Sequence, residues 1–331
     1  MRALQFSAVN RFAATEVPDP EPVAGEAVVA LRAAALNHRD VWIKTGNYSS
    51  PLWPCIPGSD GAGKVIHCGD AVDNSWLGRD VIINPCFDWG SGEEAQDPGF
   101  SILGLPRSGT LAEKIAVPVT QLSAKPAHLT WEEAAALPLA GLTAYRAVFS
   151  RAKLRAGERL LISGIGGGVA LFALQFAVKA GADAWVTSSS DDKIAKAVGL
   201  GARGGFNYTR DGWVMEAAKR PGHFAVVIDS AGGGGFEQLI EIAAPGARVV
   251  FFGATRGNPP VLPMRKVFWR QLSLLGTTMG SPADWAAMLD FVSREKLRPV
   301  VSAAFPLARA GEAFELMERG GQFGKIVVTL E

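Results

Sequence analysis

The chain has 331 residues, 48% of them hydrophobic and 20% charged, a composition that supports substantial buried cores and argues against a disordered protein. Its 33 Lys and Arg against 32 Asp and Glu leave a net charge of +1, which gives no basic footprint for nucleic acid or for an anionic membrane surface. Three Cys at spacings that match no disulfide framework, an N-terminus without a signal-type apolar core and no run long enough to span a bilayer lead to the expectation of a cytoplasmic protein that acts on small molecules.

Up to about residue 120 the chain reads as short β-rich runs separated by turns, over residues 27–33, 63–68, 80–84 and 111–117. This predicts an irregular, largely antiparallel β domain. From about residue 130 the rhythm changes to helix and strand in alternation. Thr130 followed by Trp131-Glu132-Glu133 has the cap and the first-turn acids of a helix start. Apolar strands follow at residues 159–163, 184–187, 225–229 and 248–252, with helix-length segments between the earlier ones, which implies a parallel sheet covered on both faces. The last 32 residues end in a strand-like run at 325–330.

The strongest chemical signal lies at the first of these strands. Residues 158–170 read ERLLISGIGGGVA, a strand that enters a glycine-rich turn and then a helix over residues 171–180. Gly164, Gly166, Gly167, Gly168 and Val169 would let the backbone approach a pyrophosphate at the helix N-terminus. The second strand ends in Thr187-Ser188-Ser189-Ser190, where NAD sites usually carry an acid against the ribose 2′-hydroxyl. Hydroxyls of Ser188 and Ser189, with Lys193 as countercharge, favour NADPH. The competing reading makes Ser190 only a helix cap and gives the acid's role to Asp191 or Asp192.

Three further segments carry a family resemblance: Ala35-Leu36-Asn37-His38-Arg39-Asp40 followed by Gly46-Asn47-Tyr48, then Pro57-Gly58-Ser59-Asp60-Gly61-Ala62-Gly63, and Ala135-Ala136-Leu137-Pro138-Leu139-Ala140-Gly141-Leu142-Thr143-Ala144-Tyr145. With the glycine-rich turn, they make the chain similar from end to end to the zinc-free medium-chain dehydrogenases/reductases, in particular quinone oxidoreductases and alkenal or enoyl reductases. The resemblance implies an α/β protein: a GroES-like β-rich catalytic domain of residues 1–122 and 296–331, and a Rossmann domain with a doubly wound parallel sheet over residues 123–295. Zinc-dependent relatives place Cys, a His-Glu pair and Cys or Asp where this chain has Asn37, Ser59 with Asp60, and Leu139. Thiolate and imidazole are missing at all three places. The loop that would carry a structural zinc has only Cys86, and the four His, at positions 38, 67, 128 and 223, are too scattered to form a cluster. No metal is therefore expected; His38 is expected in a hydrogen-bonded structural role, with a place in the cleft as the alternative.

The same resemblance implies roles for individual residues. Asn37 would touch nicotinamide or substrate, and Asp40 would orient its loop, reach the cofactor ribose or form a structural salt bridge. Tyr48 would either donate to an enolate oxygen or only line the pocket. Thr143, Tyr208, Ser230, Ala231, Gly253, Ala254, Gly276, Thr277 and Thr278 would border the dinucleotide, Tyr208 near the adenine or the 2′-phosphate, although Gly232 to Gly235 reads equally as a flexible turn. Gly324 and Lys325 would close on the cofactor, with a solvated surface charge as the alternative for Lys325. Trp42, Trp53 and Trp89 fall in segments that could border a cleft for a flat acceptor, and each singly reads as core packing. The expected activity is NADPH-dependent hydride transfer to quinones or to the C=C bond of enones and enals, in a homodimer joined through the strand at 273–276. An alcohol dehydrogenase of the same family and an NADPH-binding protein with little catalysis are the competing readings.

Overall fold

The computed structural model describes residues 1–48 and 52–330. The chain forms two compact units, one of Met1–Leu142 with the segment from Gly280 onward, the other of Thr143–Met279. In the first unit β1 (Arg2–Ala8) and β2 (Arg11–Glu16) make a hairpin, and β3 (Glu26–Ala35) leads into the short helix α1 (His38–Lys44). The strands β4 (Asp60–Cys68), β5 (Asp80–Ile83), β6 (Cys86–Phe87), β7 (Ser101–Ile102), β8 (Lys114–Pro118) and β9 (Leu122–Ala124) follow, all paired antiparallel. Helices α2 (Trp131–Ala136) and α3 (Pro138–Tyr145) close this stretch.

The second unit alternates strand and helix: β10 (Arg159–Ile162), α4 (Gly168–Lys179), β11 (Asp183–Ser188), α5 (Asp191–Gly199), β12 (Gly204–Asn207), α6 (Trp213–Lys219), β13 (Phe224–Asp229), α7 (Phe236–Ile242), β14 (Ala243–Phe251), α8 (Met264–Trp269) and β15 (Ser273–Gly276). Its sheet is wholly parallel with the order β12-β11-β10-β13-β14-β15. The inner strands are apolar on both faces, as two covering layers of helices require. Strand order reverses between β10 and β13, and in open α/β sheets the crevice at such a point receives ligands. Leu161, Phe206, Val227, Ile240 and Val249 fill the core on one face, with Trp185 stacked on Phe206 at 5.5 Å.

After this unit the chain returns through α9 (Pro282–Arg294), β16 (Val301–Pro306), α10 (Ala310–Glu318) and β17 (Lys325–Thr329). The sheet of the first unit runs β16-β17-β3-β4-β5-β9, with β8 also on β3, over a core that includes Leu4, Phe6, Leu31, Ile43, Phe314 and Val328. The unit boundaries at 142/143 and 279/280 differ from the expected 122/123 and 295/296. Long-range bonds explain the difference: the Trp285 indole N–H donates to Ser123 Oγ at 2.9 Å, Ser281 Oγ to Glu93 at 2.6 Å and Cys86 Sγ to the Gly280 carbonyl at 3.1 Å, so α9 belongs to the β-rich unit. No helix among the described residues is long and apolar enough to cross a membrane.

Candidate active site

In the β-rich unit, β3 ends at Ala35 and delivers Asn37 to the start of α1, β4 begins at Asp60, and β17 begins at Lys325. Their side chains meet in a buried cluster. Lys325 is 4% exposed, and its ammonium donates to Leu36 O at 2.7 Å, Asn37 Oδ1 at 2.6 Å and Asp60 Oδ2 at 2.8 Å. A solvated surface charge at this position is thereby corrected: β17, paired with β3, carries the side chain inward. Three acceptors match the three ammonium protons. Because an ammonium accepts nothing, the oxygen of Asn37 must face it, and Asn37 Nδ2 then donates to Asp60 Oδ2 at 2.9 Å with one N–H to spare. Asp60 Oδ1 accepts from the Leu139 amide at 2.7 Å.

Asp40 is fully buried and accepts from the Asn37 amide at 2.8 Å and the Gly58 amide at 3.2 Å. Burial raises its carboxyl above the usual range, against the pull of Arg39, the Asn37 amide and Lys325. It therefore fastens the start of α1 to the turn before Asp60 and forms no salt bridge among the described residues. Arg39, 5% exposed, donates to Ser59 Oγ at 2.7 Å and to the Leu103 carbonyl at 2.6 Å, and its guanidinium lies 4.9 Å over the Tyr48 ring with Nη2 3.4 Å from the phenol oxygen. Arg39 Nε has no partner among the described residues. His38 is exposed, with its ring against Trp42 at 6.3 Å and no hydrogen bond among the described residues, so the expected hydrogen-bonded role is corrected. Trp89 is core, its ring edge-on to Phe100 at 5.7 Å, whereas Trp42 and Trp53 are half-buried.

In the α/β unit the glycine-rich turn follows β10. Gly164 N–H donates to Thr187 Oγ1 at 3.1 Å and Ile165 N–H to the Thr187 carbonyl at 2.7 Å, so Thr187 holds the turn in place. Asp229, buried at the end of β13, accepts from Ser163 Oγ and from the Gly232 amide, tying the two central strands together at the switch point. The turn's later N–H groups, at the start of α4, have no intrahelical partners. A Cβ added at Gly167 would meet nothing within 4 Å, so its glycine leaves room for something other than protein. Thr277 Oγ1, just beyond β15, is buried without a partner among the described residues. Open space at a helix N-terminus fits a dinucleotide pyrophosphate.

Most other expected cofactor residues lie in the same unit. The loops after β13 and β14 bring Ser230, Ala231, Gly253 and Ala254 together, with Arg256 N–H on the Ala231 carbonyl at 2.8 Å. Thr277 N–H bonds the Phe251 carbonyl at 3.0 Å, which sets Gly276, Thr277 and Thr278 beside them. Thr143 is buried with its hydroxyl 3.9 Å from Met279 Sδ. Ser188 is buried and its Oγ accepts from Ser190 N–H, Ser189 is exposed, and Ser190 Oγ caps α5. Burial and Lys196 lower the Lys193 ammonium. The Asp191 carboxylate accepts from Arg210 at 2.6 Å and Asn207 at 3.1 Å. Gly324 and Lys325 belong to the other unit, with Asn37.

Residues 23–127 match the alcohol dehydrogenase GroES-like domain and residues 168–294 the zinc-binding dehydrogenase domain. The chain is 35% identical over 335 residues to the zinc-type alcohol dehydrogenase-like protein YogA of Leptosphaeria maculans, with 95% of this chain and 93% of the relative covered. The chain belongs to the medium-chain dehydrogenase/reductase family of oxidoreductases. A crystal structure of an NAD-dependent alcohol dehydrogenase is similar to it with a TM-score of 0.95 and 38% identity over 100% of both chains. The crotonyl-CoA reductase of Streptomyces collinus is 28% identical, with 95% of this chain and 80% of the relative covered. Among the described residues of this medium-chain member, no three His, Cys, Asp or Glu side chains form a metal-binding group. Arg39, Ser59 and Asp60 in the β-rich unit, and Thr187, Asp229 and Arg256 in the α/β unit, are the site residues that sequence reasoning did not assign. The partial signals were there: Arg39 and Asp60 sit inside the quoted motifs.

Proposed function

We propose that the protein is an NADPH-dependent reductase that delivers hydride to a carbon–carbon double bond conjugated to a carbonyl, or to a quinone, without zinc. The observation that carries this reading is the Lys325 ammonium on Asn37 and Asp60, two positions at which zinc-dependent relatives have ligands. The donor set there is an amide, a carboxylate already paired with an internal cation, and the apolar Leu139, a poor match to the nitrogen and sulfur ligands of zinc. Bound nicotinamide would supply the hydride. The chain's own groups would supply the electrostatics. The second N–H of Asn37 is free to donate to a carbonyl oxygen as negative charge builds on it, and the Lys325–Asp60 pair fixes the amide's orientation for that purpose. Tyr48, with the Arg39 guanidinium against its ring and oxygen, would give the proton.

NADPH is favoured over NADH because the acid nearest the second strand, Asp191, is occupied by Arg210 and Asn207, while Ser189 stays exposed. A phosphate near Lys193 would also offset the burial and like charge that disfavour its ammonium. Similarity to a zinc-type alcohol dehydrogenase-like protein and to an NAD-dependent alcohol dehydrogenase favours the second reading, an alcohol dehydrogenase. NADPH oxidation by chelator-treated protein separates the two. Turnover of 2-alkenals or small quinones, but not of matched saturated aldehydes, is the expected result. Activity with saturated aldehydes alone, abolished by chelator, would overturn the metal-free reading, and no turnover with any acceptor would favour a binding protein. We further propose a cytoplasmic homodimer assembled through β15.

A further inference from the structure

We propose that Arg256 is the residue that reads the 2′-phosphate of the dinucleotide, an inference that rests on the NADPH reading above. Arg256 lies on the loop after β14, and that loop is fastened across the loop after β13: Arg256 N–H donates to the Ala231 carbonyl and Gly233 N–H to the Gly257 carbonyl, both at 2.8 Å. The approach is close enough to require glycine. Gly233 has φ +58°, and a Cβ there would stand 2.9 Å from both Arg256 Cβ and its carbonyl oxygen. From this anchor the loop carries the Arg256 side chain to a residue that follows the far edge strand of the sheet. β14 and β12 are four strands apart in the order β12-β11-β10-β13-β14, about 19 Å at the usual interstrand spacing. Yet Arg256 Nη2 lies 3.3 Å from Tyr208 Oη and its guanidinium carbon 5.2 Å from the Tyr208 ring centroid.

Tyr208 is the first residue beyond β12, and its amide bonds the Ser188 carbonyl at 3.0 Å. The ring therefore sits beside the serine turn at which a ribose 2′-substituent is recognised. Stacking and the hydroxyl acceptor hold the guanidinium there in one orientation. Arg256 has no carboxylate partner among the described residues, in contrast to Arg210, which is paired with Asp191. An exposed arginine with a fixed plane, unpaired N–H groups and no neutralising acid is suited to bidentate capture of a phosphate. Lys193, on the first turn of α5 after the serines, would add a second charge.

Calorimetric titration with 2′,5′-ADP and 5′-AMP, which carry the adenosine half with and without the 2′-phosphate, tests this apart from turnover. The unmodified protein should prefer 2′,5′-ADP. Arg256→Gln should weaken 2′,5′-ADP by about tenfold or more, as loss of a charge-assisted bond implies, with 5′-AMP changed by less than about twofold. Tyr208→Phe, which keeps the ring but loses the acceptor, should weaken 2′,5′-ADP to a smaller extent. Retained 2′,5′-ADP affinity in Arg256→Gln would overturn the role of Arg256 and leave the NADPH reading standing. Equal losses for both probes would make Arg256 a wall of the adenosine site instead of a phosphate reader, which also overturns the proposal. An unmodified protein that does not distinguish the probes would remove the NADPH reading itself.

Discussion

Lys325 and Asp60 are both removed from water, at 4% and 0% exposure, and each makes three contacts within hydrogen-bonding distance once Leu36, Asn37 and Leu139 are included. A buried pair of this kind is strongly destabilised when one member is deleted, because the other charge stays in low dielectric without its partner. Lys325→Met should therefore cost about 3–5 kcal/mol. Lys325→Met combined with Asp60→Asn removes both charges and should unfold at higher denaturant than Lys325→Met alone. Urea unfolding of the single and double variants measures this, and simple addition of the two losses would show that the pair is not coupled. The individual residues were partly legible in sequence: Asn37 through its motif and Lys325 through the tail segment. Their pairing was not, since it joins positions 288 residues apart, and Asp60 registered only as an unsuitable metal ligand. No local pattern reports that β17 lies against β3, and that contact alone turns a lysine near the C-terminus into an internal cation.

The turn between β10 and α4 separates what a residue does for folding from what it does for a ligand. Gly167 has φ −77° and ψ 158°, a conformation open to any residue, and a Cβ there would touch no protein atom within 4 Å. Gly167→Ala should leave the thermal midpoint nearly unchanged, with at most the small cost of alanine at a helix N-cap, while NADPH affinity falls by about tenfold or more because the methyl occupies the space for pyrophosphate. Scanning calorimetry and cofactor titration together check this; equal affinity for both proteins would mean that the pyrophosphate lies elsewhere. At this scale the sequence was most readable where the signal is local. Thr130 caps α2 and exchanges bonds with Glu133, as the cap followed by first-turn acids predicts. The strands β10, β11 and β13 fall within a residue of their apolar runs, whereas β14 begins at Ala243, five residues before its run at 248–252, and the glycine-rich β12 (Gly204–Asn207) was not singled out. The hairpin β1–β2 was not singled out, because β2 is mostly exposed and mixes alanine with charge, leaving little period-two contrast to read.

The expected domain boundaries reflect the same limit for the molecule as a whole. A helix after the sixth strand continues the strand–helix rhythm, and it takes long-range bonds such as Trp285–Ser123, Ser281–Glu93 and Cys86–Gly280 to assign α9 to the β-rich unit. The α/β unit, for its part, ends in a strand that has no neighbour on one side among the described residues. β15 is the terminal strand of the sheet, and the segment before it exposes Val261, Met264, Phe268 and Trp269, the last at 81%. An open strand edge preceded by exposed apolar side chains invites pairing with another chain, and a two-fold copy would pair β15 with its mate and cover the exposed side chains of both. Trp269→Glu combined with Phe268→Glu should convert a dimer to a monomer in sedimentation velocity. Its unfolding should begin earlier, because assembly stabilises the folded state by mass action. If the unmodified protein sediments as a monomer, or the double variant stays dimeric, the second copy does not sit on this edge and the patch must be covered in another way.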